Sequence, residues 1–255
     1  SGAPRDSIYV RGNNPIVVAE TEHIDTAADI VAVSAFISAG QRCTCARRLI
    51  LPNGPLGDAI LERLLRRTRL LRFGLPDDDP EPFMGRVISE DAAIRVIKAQ
   101  QQLIRQGAIE LLPCEHSDRH PALLSPGILA VSAIPERDDE EVFGPLLQVI
   151  RVDDFESAIR KANRTRFGLS AALLSDDPTL FQTFRRRVSA GVINWNQPTI
   201  GASGRLPFGG LGRSGNHRPS GFLASDYCAA ATAELESPEL RPPAALPPMP
   251  TELND

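Results

Sequence analysis

Residues 34–52 read SAFISAGQRCTCARRLILP. Within this one stretch an apolar helical run meets a glycine, then two cysteines one residue apart, then a strand-like run closed by Pro52. Helix, break and strand follow one another, and the same order recurs on both sides. Upstream, NNPIVVAE (13–20) is a short apolar run after an Asn-Asn-Pro turn signal, the pattern of a buried strand. The helix between them carries Ala28, Val31 and Ala35, and Ile30, Val33 and Ile37, at three- and four-residue steps. Asp25 is its expected N-cap and Gly40 its stop.

Downstream, leucines and Ile60 mark one face of a helix over Gly57–Arg72, with Arg66, Arg67, Arg69 and Arg72 on a solvated face. ISEDAAIRVIKAQQQLIRQGA (88–108) gives another helix, with Ser89 as N-cap and Gly107 as stop. IELLP (109–113) and ALLSPGILAVS (122–132) read as strands, and EEVFGPLLQVIRV (140–152) as a turn and a strand. A helix starting near Asp154, a strand LSAALLS (169–175), a helix with Pro178 in its first turn and a strand AGVINWN (190–196) complete the series. This alternation implies an α/β fold with a mostly parallel, twisted sheet and flanking helices. DYCAAATAELE (226–236) is expected to add a further strand. The segment 237–255 holds six of the 22 prolines and reads as a disordered tail.

The 255 residues are 42% hydrophobic and 24% charged, with a formal net charge of -4. No basic patch points to nucleic acid, and no apolar run has the ~18 residues a membrane span requires. Four cysteines in a chain of this length make no disulfide framework, so the expected location is a reducing cytoplasm. The chain starts SGAPRDS, not with a methionine. Gly210, Gly212 and Gly215 spell G-x-G-x-x-G, but no strand precedes them and no amphipathic helix follows. The stretch reads as a loop of close backbone approach and not as a dinucleotide-binding turn.

Cys43 and Cys45 admit several readings. A metal site would need further ligands, and His23, His116, His120 and His217 show no such spacing. A redox pair would need a thioredoxin-like context. Two buried small hydrophobes, or a nucleophile favoured as thiolate by Arg42 and Arg47, both remain open.

Four motifs then carry a resemblance. FISAGQRCTCA (36–46), EVFGP (141–145), KANRTRFGLSA (161–171) and LPFGGLGRSG (206–215) are similar, in family order, to the active-site motifs of the NAD(P)-dependent aldehyde dehydrogenases. GNNP (12–15), GQRCTCARRL, INWN (193–196) and SGNHRPS (214–220) resemble the branch acting on succinylglutamate semialdehyde in bacterial arginine catabolism. The resemblance implies that Cys43 is the nucleophile, forming a hemithioacetal and then a thioester, with its own N–H as one oxyanion donor. It places Glu141 on the nicotinamide ribose and Phe143 beside the nicotinamide of NAD. It places Arg42 and Thr44 beside the nucleophile and Phe208 on the aldehyde tunnel. Cys45 is expected to be a packed neighbour. Arg42, His217 and Arg218 are candidates for a substrate carboxylate.

The resemblance covers the catalytic-domain half of a family chain, so the N-terminal dinucleotide-binding domain is expected to be lacking. The expected organisation is an unmatched leader over 1–11, a catalytic domain over 12–222, an oligomerisation strand over 223–236 and the tail. Tyr9 stands where the family has its general-base glutamate, and Arg11 where it has a glycine. A phenol of pKa about 10 is a poor base near neutrality. The expected partners are a small aldehyde and a second copy or a full-length homologue. The expected activity is oxidation of an acidic semialdehyde, with a catalytically silent interaction module as the alternative.

Overall fold

The computed structural model describes residues 11–201, 203–215, 220–228, 230 and 232–239. Tyr9, His217, Arg218 and most of the expected leader and tail lie outside them.

Strand β1 (Asn14–Val18) leads through helix α1 (Ile24–Phe36) to β2 (Ala46–Pro52), followed by helices α2 (Pro55–Leu70) and α3 (Glu90–Arg105). Then come β3 (Ile109–Leu112), the small hairpin β4 (His116–Ser117) with β5 (His120–Leu124), β6 (Gly127–Ala130) and β7 (Leu146–Val152). Helix α4 (Phe155–Asn163), β8 (Phe167–Gly168), β9 (Ser170–Leu174), helix α5 (Pro178–Arg187) and β10 (Val192–Trp195) follow. The short pieces β11 (Pro207–Phe208), β12 (Leu211–Gly212), β13 (Ser220–Gly221) and α6 (Ala224–Cys228) close the series.

Seven strands form one sheet in the order β10-β9-β1-β2-β7-β6-β3. Every pairing is parallel except the edge pair β3–β6. Parallel strands are covered on both faces, which is why β1, β7 and β9 are mostly apolar and buried almost throughout. Ile16, Leu49, Ile50, Leu147 and Val149 are fully buried at the centre of the sheet. Helix α1 packs on α2 and β2, and α4 packs on β1, β2 and β7.

Strand β2 breaks the apolar rule, because Arg47 and Arg48 are both buried in it. Side chains alternate along a strand, so the two arginines leave it in opposite directions. Arg48 turns toward α4 and donates to the carbonyls of Asn13 (2.8 Å), Lys161 (2.9 Å) and Ala162 (2.9 Å). It thereby satisfies the open C-terminal end of α4 and ties it to the entry of β1. Burial pushes its pKa down to about 10, which still leaves it charged at neutral pH.

The structure corrects one expectation. Asp25 is not a cap: α1 starts at Ile24, and His23 at its N-cap makes no side-chain bond. Asp25 lies in the first turn, where a carboxylate favours the helix dipole, and it pairs with Arg63 (2.7 Å) and Arg67 (3.4 Å) of α2. Of the stretch 223–236, Ala224–Cys228 is helical, and the described residues beyond it join no sheet of this chain. The expected caps Ser89 and Asp154 do accept, from Ala92 N at 3.2 Å and Ser157 N at 2.6 Å.

Candidate active site

The two cysteines sit on the short link between α1 and β2. Ser38, Ala39 and Gly40 all have positive φ, at 54°, 54° and 68°. Two non-glycine residues in this region cost energy, and such strain persists only where the surroundings enforce it. The surroundings are tight. A Cβ on Gly40 would lie 2.2 Å from the carbonyl oxygen of Gly144, so this loop and the E-x-F-G-P turn meet backbone to backbone.

Three connections hold the loop. Asn14, fully buried at the start of β1, donates from Nδ2 to the carbonyls of Cys43 and Cys45, each at 2.8 Å. Its Oδ1 accepts from Ser170 N at 3.0 Å, which brings in β9. Arg47 donates to the carbonyls of Gly40 (2.6 Å) and Arg42 (3.1 Å) and, twice, to Glu141 Oε1 (2.9 and 3.3 Å). Gly12 N donates to Glu141 Oε2 at 3.2 Å. The site therefore lies at the amino ends of β1, β2 and β7. Open α/β sheets usually place theirs at the carboxyl ends.

Cys43 is half-buried and Cys45 fully buried, both as free thiols. Burial raises the Cys43 pKa, and the Glu141 carboxylate raises it further. The N–H groups of Cys43 and Thr44, and the Arg47 charge, pull the other way. The arginine effect expected from the sequence is real for Arg47, but desolvation outweighs it. The same N–H groups of Cys43 and Thr44 are donors that an oxyanion on an attacked carbonyl could meet.

Glu141, Thr44 and Cys43 are thus brought together. Phe143 joins them, with 45% of its surface exposed and the Arg47 guanidinium 5.1 Å from its ring centre. Arg42 contributes its carbonyl, while its exposed side chain donates to Ser38 Oγ at 3.1 Å. Phe208 is half-buried in the β11–β13 ribbon, and the bonds joining the Cys43 loop do not extend to it. A cleft of about 690 Å³ opens between α3 and the Glu141–Phe143 turn, with Arg11 and Gln41 also on its walls. An exposed aromatic ring beside a carboxylate that keeps acceptor capacity on Oε2 suits a sugar carrying a flat heterocycle. The glycine loop 209–215 packs on itself, since a Cβ on Gly215 would lie 2.0 Å from the Gly210 carbonyl oxygen. Among the described residues no helix starts on it before Ala224.

Sequence reasoning did not single out Asn14, nor the pairing of Arg47 with Glu141. The available signal was two arginines inside a strand whose other residues are apolar.

A sequence profile of the aldehyde dehydrogenase family matches residues 7–232. The N-succinylglutamate 5-semialdehyde dehydrogenase of Burkholderia mallei (strain SAVP1) is 51% identical over 242 residues, 95% of this chain and 50% of that protein. The chain spans about half the length of the curated relatives it matches. Among solved structures, an NAD-dependent aldehyde dehydrogenase from Sinorhizobium meliloti superposes with a TM-score of 0.77 at 34% identity, covering 85% of this chain and 42% of that one. A 1-pyrroline-5-carboxylate dehydrogenase from Thermus with bound NAD gives 0.75 at 31% identity, covering 84% and 42%.

Proposed function

The chain belongs to the aldehyde dehydrogenase family, and from that membership we propose that it carries the thiol chemistry of an enzyme oxidising succinylglutamate semialdehyde to the dicarboxylate with NAD. The observation that carries the reading is the Cys43 loop itself, a half-buried thiol beside the Arg47–Glu141 pair, fixed from two sides by Asn14 and Arg47. The 51% identity to a protein named for that substrate supports the acidic aldehyde.

Cys43 attacks the aldehyde carbon, and the N–H groups of Cys43 and Thr44 receive the developing oxyanion. Nicotinamide, when bound, is the hydride acceptor. Glu141 and Phe143 would hold its ribose and ring, with Phe143 kept in place by the guanidinium packed against it. Release of the acid from the Cys43 thioester would then need a base to activate water, and this chain has Tyr9 where the family has its glutamate. Arg42, whose side chain reaches solvent beside the thiol, is the cation offered to the substrate carboxylate, and Phe208 is a wall of its approach. The protein acts in the cytoplasm within arginine catabolism and pairs with a second copy or a full-length relative. The outer strand β10 supports that pairing, since it ends the sheet among the described residues. Among these residues no helix is long and apolar enough to cross a membrane.

The test is acylation by an activated ester, followed by intact mass across pH with Cys43→Ala as control. A single acyl adduct on Cys43, formed faster than on Cys114 and faster as pH rises, is the expected result. Labelling of Cys43 no faster than of Cys114 would end the nucleophile reading.

A further inference from the structure

We propose that Arg47 is a positioning residue that locks the nucleophile's loop and the Glu141 carboxylate to each other, so that thiol and cofactor-side acid are set by one guanidinium. This rests on the reading of Cys43 and Glu141 given above.

The geometry is that of a fork spanning two motifs. Arg47 is 1% exposed at its side chain, and Glu141 5%. One nitrogen of Arg47 serves Gly40, a second serves both Arg42 and Glu141, and Nε serves Glu141 again. Gly40 and Arg42 lead directly into Cys43, so their carbonyls fix the path of the chain at the thiol. Phe143 lies over the same guanidinium. A planar group with donors on separate edges is needed to reach two backbone carbonyls and a carboxylate at once. The three donors of an ammonium leave one point and cannot span them.

The clamp has an electrostatic side as well. The charged groups facing Cys43 are Glu141, from the turn before β7, and Arg47, from β2. Cys45 is its fully buried neighbour, and the Arg42 side chain is drawn off to Ser38. Glu141 opposes the thiolate and Arg47 favours it. Their pairing therefore lets a carboxylate stand next to a nucleophile without silencing it. Without Arg47 the carboxylate keeps its bond from Gly12 N, and its charge acts on the thiol with less to oppose it.

The experiment is the pH dependence of Cys43 alkylation by iodoacetamide, read peptide by peptide, with thermal melting of each variant. It compares the wild-type chain with Arg47→Lys, Arg47→Met, Glu141→Gln and the double variant Arg47→Met/Glu141→Gln. Arg47→Met should raise the alkylation midpoint by about one pH unit, the lower end of the effect of a nearby charge. Arg47→Lys should fall between it and wild type, because the charge survives and the fork does not. Glu141→Gln should lower the midpoint, and the double variant should return toward wild type, since the field and its screen leave together. Should Arg47→Met fail to fold, Arg47→Lys and the double variant, which leaves no lone buried carboxylate, carry the comparison. Unchanged midpoints in these variants, or a double variant shifted as far as Arg47→Met, would overturn the proposal. Slow wild-type labelling of Cys43 would instead count against the nucleophile, and the midpoints would still decide the clamp.

Discussion

Asn14 makes three hydrogen bonds through one amide, two outward from Nδ2 and one inward to Oδ1, and two of the three are fully buried. Replacing it with alanine leaves two carbonyls and one N–H unpaired, each a buried polar group whose desolvation is no longer repaid. Asn14→Ala should therefore cost about 3 kcal/mol by urea unfolding and slow the acylation of Cys43 in the fraction that remains folded. Asn14→Asp keeps the acceptor for Ser170 but turns a donor toward Cys43 and Cys45 into a repelling oxygen, and should be no better than alanine. Gly40 is constrained in another way. Its φ of 68° and the 2.2 Å that a Cβ would leave to the Gly144 oxygen are both backbone obstacles that no side-chain rotation can relieve. Gly40→Ala should thus abolish Cys43 acylation and lower the melting temperature, whereas alanine at Gly85, where φ is not positive and the nearest atom to a Cβ lies 3.9 Å away, should cost much less.

Elements were more legible than their connections. The caps at Ser89 and Asp154 follow from side chains that compete for the first free N–H groups of a helix, a local effect that a sequence displays directly. Ser89→Ala should cost about 1 kcal/mol, measurable as a shift in the urea midpoint with unchanged slope. Cys43, Thr44, Glu141 and Phe143 were legible because each sits in a motif, and the fold brings the motifs together. What β2 does with Arg47 and Arg48 was not legible. Both faces of a central parallel strand are covered, so alternation carries no sign of which way a residue points. The partner of Arg47 lies 94 positions away, a contact only the folded sheet can reveal. Asp25 misled because its carboxylate serves α2 arginines in space and not the helix end beside it in sequence.

At the scale of the whole molecule, two thiols, Cys45 and Cys114, are buried and a third, Cys43, is half-buried. Burial raises the pKa of Cys43 and Cys45, and pushes Cys114 up to about 12. A thiol whose folded pKa lies above its unfolded value holds on to its proton longer in the native state. Its contribution is whole below the ordinary thiol pKa of about 8.5 and is lost as pH rises toward the folded value. Stability from urea unfolding should accordingly fall from about pH 9 upward. Cys114→Ala should flatten that fall by about 1.4 kcal/mol per pH unit, at the cost of a small cavity. Another consequence follows from the bonds that close the Cys43 loop. They reach it from Asn14, 29 positions before it, while Arg47 binds Glu141 and Glu141 binds Gly12 across 94 and 129 positions. Contacts this distant in the chain form late, after the loops between them have closed. The alkylation rate of Cys43 during refolding is then a clock for the last stage of assembly: its native value should emerge only when the first strand has docked, after helix content by circular dichroism has already levelled off.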